Sequence, residues 1–197
     1  MALYAFDHEL AHVGQATTSD LAAEIRFTWW REAVEAIASG AGPRRHPVAE
    51  ELARVTADRN LPLEPLVGMI EARVGALGSG YLDWGSALAW AQGAQGALAG
   101  LVARVLDPAA DEAMVSPAGT VWGLALLRRS GRAGGAAFDR GLRVALVEAS
   151  VQAHRLPPSA FPAALPATLA RADLRSKRVS ELEKRVRLAL ASLTGRL

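Results

Sequence analysis

Cysteine is absent from the 197 residues. Disulfide frameworks, thiolate zinc sites and cysteine nucleophiles are therefore excluded together, and a reducing compartment is compatible with the chain. Histidine is nearly as scarce. His8, His12, His46 and His154 form no HExxH and no pairing with Asp or Glu that suits zinc, so any metal would need carboxylates. Aromatic residues make up only 6%, whereas alanine supplies 41 positions. Alanine loses no side-chain entropy in a helix, so this balance favours helix and all but excludes an all-β fold.

Long apolar runs are also missing. Only Trp84 to Val102 approaches the ~18 residues of a membrane span. Its hydrophobicity comes mainly from alanine and is interrupted by Gln92, Gln95 and several Gly or Ser, so a buried helix is the expectation. The opening MALYAFDHEL lacks a basic region followed by an apolar core and is not a secretory signal. These features lead us to expect a cytoplasmic protein.

Net charge is only +2, yet residues 171–197 hold eight basic residues against three acidic ones. Such a tail can meet anionic lipid, which places a peripheral contact with the inner membrane among the expectations for 171–197. In the plainer reading, Leu174, Leu182, Val186, Leu190 and Leu193 form the inner stripe of an amphipathic closing helix whose basic face is solvated. Nucleic acid is excluded as a partner, because no helix-turn-helix, RRM or zinc-finger pattern accompanies the charge.

Breakers divide the chain into a single helical domain, 1–197, of seven or eight helices. The first covers about Ala2–Val13 and lacks an N-cap, as expected of a helix missing its beginning. Further helices are expected over Asp20–Ser39, His46–Arg59, from the NLPLEP segment at 60–65 to Ala76, Trp84–Leu106 and Ser116–Arg129. A short region reaches Val151, a Pro-rich connection spans 154–166, and a basic amphipathic helix over 171–197 closes the chain. Gly93, Gly96 and Gly100 inside the long helix imply close packing or a pocket wall. His46 beside Pro47 reads as a local cap, Pro157 and Pro158 as a helix stop, and Asp111, Glu112 and Asp139 as solvated charges.

The most distinctive segment is IRFTWWREAVEAI at 25–37, where Arg26 and Trp30 share one helix face. Read alone, it is equally served by two core tryptophans and an arginine paired with a carboxylate. With its flanks it resembles the squalene/phytoene synthase superfamily. The resemblance rests on ALYAFDHEL at 2–10, the Arg-x-x-Trp-Trp-Arg-type element, HPVAEEL at 46–52, LPLEPLVGMIEARVGAL at 61–77, AGTVWGLALLRR at 118–129 and RLPPSAF at 155–161. It implies an all-α domain of the isoprenoid synthase type. It also implies an enzyme that joins prenyl diphosphates with Mg²⁺ held by two Asp-rich motifs.

Both motifs are altered. Where the family carries Asp-Asp-x-x-Asp, seven residues after the first-helix tyrosine, this sequence has Ala11, His12 and Gln15. Where it carries Gln-x-x-Asn-x-x-Arg-Asp and a later Asp, this sequence has Trp122, Ala125, Arg128, Arg129 and Ala133. Asp7 and Glu9 remain near the first motif but do not rebuild a three-metal site. AFDHEL at 5–10 further resembles a branch similar to the mitochondrial respiratory complex I assembly factor and its bacterial relatives.

The resemblance thus implies a protein with no catalytic or metal-ligating residues and no cofactor. It would bind an apolar isoprenoid-like ligand through Phe6, His12, Arg26, Trp30, Trp122 and Arg128, or assist respiratory complex subunits. The alternative is an active, Mg²⁺-dependent prenyl transferase.

Overall fold

A computed structural model describes residues 1–16, 19–174 and 180–197, and every regular element among them is helical. Helix α1 (Ala2–Ala16) turns Leu3, Phe6, Leu10 and Val13 inward, as the helical period requires. Ser19 opens α2 (Asp20–Ala38) by accepting from Ala22 N, and His46 opens α3 (Pro47–Arg59), its Nδ1 accepting from Val48 N at 3.2 Å. Helix α4 (Glu64–Val74) completes this half. The first core lies among these four helices and the helix that contributes Leu98 and Leu101, and is built from large side chains, among them Phe6, Phe27, Trp30, Met69 and Ile70.

Helix α5 (Trp84–Ala91) runs through one π turn (Gln92–Gly96) into α6 (Ala97–Leu106), where an unbroken α-helix was expected. No helix is long and apolar enough to cross a membrane among the described residues. The glycines mark close approach: a Cβ on Gly96 would lie 2.8 Å from both Ser116 Oγ and Thr120 Oγ1 of α7 (Glu112–Arg129). Helix α7 is central and buries Val115, Ala118, Val121, Leu124 and Ala125.

Of the two acidic residues expected as solvated charges at its start, Asp111 is exposed and Glu112 half-buried, and each is also engaged in a local bond. Asp111 accepts from Ala113 N at 2.9 Å, and Glu112 accepts from Arg104 Nη1 at 2.8 Å. Asp111 serves a helix N-terminus whose first amides need acceptors, and Glu112 finds a cation on the helix packed alongside.

Helix α8 (Ala136–Ala153) ends at His154, ahead of Pro157 and Pro158. Beyond it, the expected extended connection is a 3₁₀ segment, Phe161–Leu169, because Pro162 and Pro166 remove amides from an α-helical ladder and leave short, tighter turns. The expected closing helix over 171–197 is divided into α9 (Ala170–Leu174) and α10 (Glu181–Thr194), while 175–179 lie outside the described residues. The second core, between α5, α6, α7, α8 and the 3₁₀ segment, is dominated by alanine.

Candidate functional site: a charge-balanced cavity between the two cores

Where α1, α2, α4, the π turn and the end of α7 converge, they leave a cavity of about 740 Å³. Its walls are apolar, with Leu10, Phe27, Leu77, Trp90, Leu126 and Leu127. One end is polar, and its chemistry begins with Arg73. This arginine follows Leu66, Met69 and Ile70 on the inward stripe of α4, so the helix carries it into the interior with only 7% of its surface exposed.

A buried guanidinium needs partners. Nη1 donates to Met69 O at 2.7 Å, and Nη2 donates to Asp7 Oδ1. The same oxygen accepts from Gln95 Nε2 at 2.9 Å, so the π turn delivers the third member of the network. Burial lowers the pKa of Arg73, against the opposing pull of Asp7. The guanidinium also lies 6.0 Å from the Trp90 ring centroid. At the mouth, Arg132 Nη2 donates to Ala76 O and Ser79 O, each at 3.0 Å, and so fastens the rim loop after α4 to the loop after α7.

Of the six residues expected to line one pocket, three share a groove and the other three lie outside it. Phe6 is fully buried and packs edge-on to Trp30 at 5.3 Å between ring centroids. Trp30 and Trp29 both contact His46, at 5.0 and 5.5 Å, so the tandem tryptophans and the α3 cap form one aromatic cluster. His12, Arg26 and Trp30 share a shallow groove of about 240 Å³ with Glu9 and His46, on a different face of α1 from the large cavity. Neither Trp122 nor Arg128 is in either place. Arg129 lies over the Trp122 ring, 4.9 Å from its centroid, and Arg128 is bound to Asp139 of α8 at 2.7 and 3.1 Å.

That last pair corrects the expectation that Asp139 is a solvated charge. Two charges facing each other between adjacent helices, each side chain 21% exposed, find one another before they find water. The hydrogen bond from Arg128 holds the Asp139 carboxyl below the usual carboxylate range.

Among the described residues, the large cavity offers magnesium two carboxylates. Mg²⁺ takes near-octahedral oxygen ligands, commonly with carboxylates among them. Ala11 contributes a methyl group to the wall, and the acidic residues lining the cavity are Asp7 and Asp20. Asp7 is already committed through Oδ1 to Arg73 and Gln95. Among the described residues, no group of three or more His, Asp or Glu is placed to hold a metal ion.

Comparison with known proteins agrees with this architecture. A family model described as squalene/phytoene synthase matches residues 1–132, more than half of the chain. The chain belongs to the squalene/phytoene synthase family. A solved relative, the squalene synthase HpnC from Alicyclobacillus acidocaldarius, superposes with a TM-score of 0.66 over 98% of this chain and 82% of that one, at 17% sequence identity. At that identity the likeness concerns the fold, which is all-helical and of the isoprenoid synthase type seen in HpnC. No curated protein matches the sequence directly.

Within this family fold, sequence reasoning missed Arg73, Gln95 and Arg132. Arg73 had a legible signal, a cation at the fourth position of an otherwise apolar stripe. Gln95 stood out as an amide in an alanine-rich helix. Nothing local pointed to Arg132, whose two acceptors lie on a loop more than fifty residues away.

Proposed function

We propose that the protein is a non-catalytic member of its family that holds an uncharged, apolar isoprenoid-like ligand in the 740 Å³ cavity. The observation that carries this reading is the Asp7–Arg73–Gln95 network at the cavity's polar end. Among the described lining residues Asp7 and Asp20 balance Arg73 and Arg132 in formal charge, so these residues offer no surplus of cations to a diphosphate. Without surplus cations or a metal, several negative charges would have to leave water uncompensated. An isoprenoid alcohol or a similar neutral lipid meets no such penalty. The volume lies within the ~300–1,000 Å³ of typical small-molecule pockets.

A role in assembling a respiratory complex fits a ligand-holding, non-catalytic protein and is supported by the AFDHEL resemblance. The test combines two measurements on the purified chain. The first is diphosphate release from farnesyl and geranylgeranyl diphosphate with Mg²⁺ or Mn²⁺, beside an active family member. The second is farnesol binding, read from tryptophan fluorescence. No release together with saturable farnesol binding is the expected result; metal-dependent turnover would overturn the reading in favour of a prenyl transferase. The assembly role is tested separately by co-purification with respiratory complex subunits.

A further inference from the structure

The apolar stripe of α10 faces outward. Leu182, Val186, Leu190 and Leu193 recur at spacings of four, four and three, so they lie along one side of the helix. They are 72, 49, 55 and 84% exposed. The opposite side, centred on buried Ala191 with Lys184, Arg187 and Leu188 half-buried, seats the helix on the 3₁₀ segment. This reverses the plainer sequence expectation of an inward stripe beneath solvated charge. The helix is nevertheless well formed, with Ser180 Oγ accepting from Glu183 N at 3.1 Å and Gly195 ending it in the left-handed region at φ 63°.

Charge selects the partner. The two acidic residues of α10 are neutralised locally: Glu181 accepts from Lys184 at 2.6 Å and Glu183 from Arg187 at 2.8 Å. Arg185 and Arg196 are exposed, and Arg185 also lies near enough to Glu181 to help lower its pKa. Lys184, Arg185, Arg187 and Arg196 outnumber Glu181 and Glu183, so the closing segment combines an exposed apolar stripe with a surplus of positive charge. A second copy of the chain is a poor occupant, since four side chains expose a few hundred Å², well under the ~800 Å² per partner of a stable interface.

We infer that α10 docks the protein onto an anionic lipid surface, with Leu182, Val186, Leu190 and Leu193 inserted at the headgroup boundary and Arg185 and Arg196 paired with lipid phosphate. Insertion of an apolar helix face combined with attraction of flanking cations is the known physics of such surface helices.

The experiment is co-sedimentation of the full chain with phosphatidylcholine vesicles and with vesicles that also contain about 30 mol% phosphatidylglycerol. Two exposed-face variants, Val186→Asp/Leu190→Asp and Arg185→Glu/Arg196→Glu, are compared with the parent, and circular dichroism confirms their fold. The parent is expected to bind the anionic vesicles and not the neutral ones, and each variant to lose at least tenfold in bound fraction. Absence of binding to anionic vesicles overturns the inference. So does unchanged binding by Val186→Asp/Leu190→Asp, or a size-exclusion shift in which that variant turns a dimer into a monomer.

Discussion

The two cores are built by opposite rules. In the core of α1 to α4, large side chains interlock and alanine is in the minority, at Ala23, Ala33 and Ala49 among the described buried residues. Around α7, alanine is the commonest buried residue, and Gly96, Gly119 and Gly123 let backbones approach until a single methyl group would collide. The first core is stabilised mostly by the amount of apolar surface each side chain removes from water. The second is stabilised by dense, short-range contact between helices and has no room for additional volume. The cavity lies at the boundary, where large side chains no longer fill the space and small ones do not yet close it.

This contrast predicts opposite vulnerabilities. The largest expected effect is Phe6→Ala, which removes a fully buried ring from the edge of Trp30. It is expected to cost about 3–5 kcal/mol, measured by urea unfolding. Arg73→Met follows, at about 3 kcal/mol, because it leaves Asp7 without its ion-pair partner inside the cavity. The double variant Asp7→Asn/Arg73→Met is expected to recover much of that loss, and a purely additive double would show that the pair is not coupled.

Gly119→Ala tests the other core. The added Cβ would meet the Gln95 carbonyl and lie 2.6 Å from Ala99 Cβ, so about 1–3 kcal/mol should be lost through crowding. If the same glycine tolerated alanine without loss, the crowded-core account would fail.

The smallest effect is a pH dependence. Because Arg128 lowers the folded-state pKa of Asp139, this pair stabilises the fold above the carboxylate's unfolded pKa of about 4. That contribution is lost as pH falls through the folded-state value. Asp139→Asn should therefore flatten the acid limb of stability, read from thermal unfolding between about pH 2 and 6, and leave the neutral-to-alkaline limb with its original slope.

Local chemistry in the sequence anticipated much of the architecture. Ser19, His46 and the breakers near 40, 78 and 131 punctuate the helices because caps and left-handed glycines depend on neighbouring residues. Partnership across the fold was less legible. Asp7 finds Arg73 sixty-six positions away, and Arg128 finds Asp139 on the next helix. Helical period specifies which residues share a face but not what that face meets. The limit is plainest at α10, where the stripe was correctly spaced and points the other way.

The π turn has a consequence at the level of the gene. Its one additional residue shifts the downstream helix by about 100° of rotation relative to an unbroken α-helix. Ala87 and Ala91 can then serve the alanine core while Leu98 and Leu101, later in the same rod, serve the aromatic one. Deleting a single codon within Gln92–Gly96 would restore a regular helix and turn Gln95 away from Asp7. A one-residue change of phase thus separates this internally satisfied cavity from one whose polar end lacks its amide.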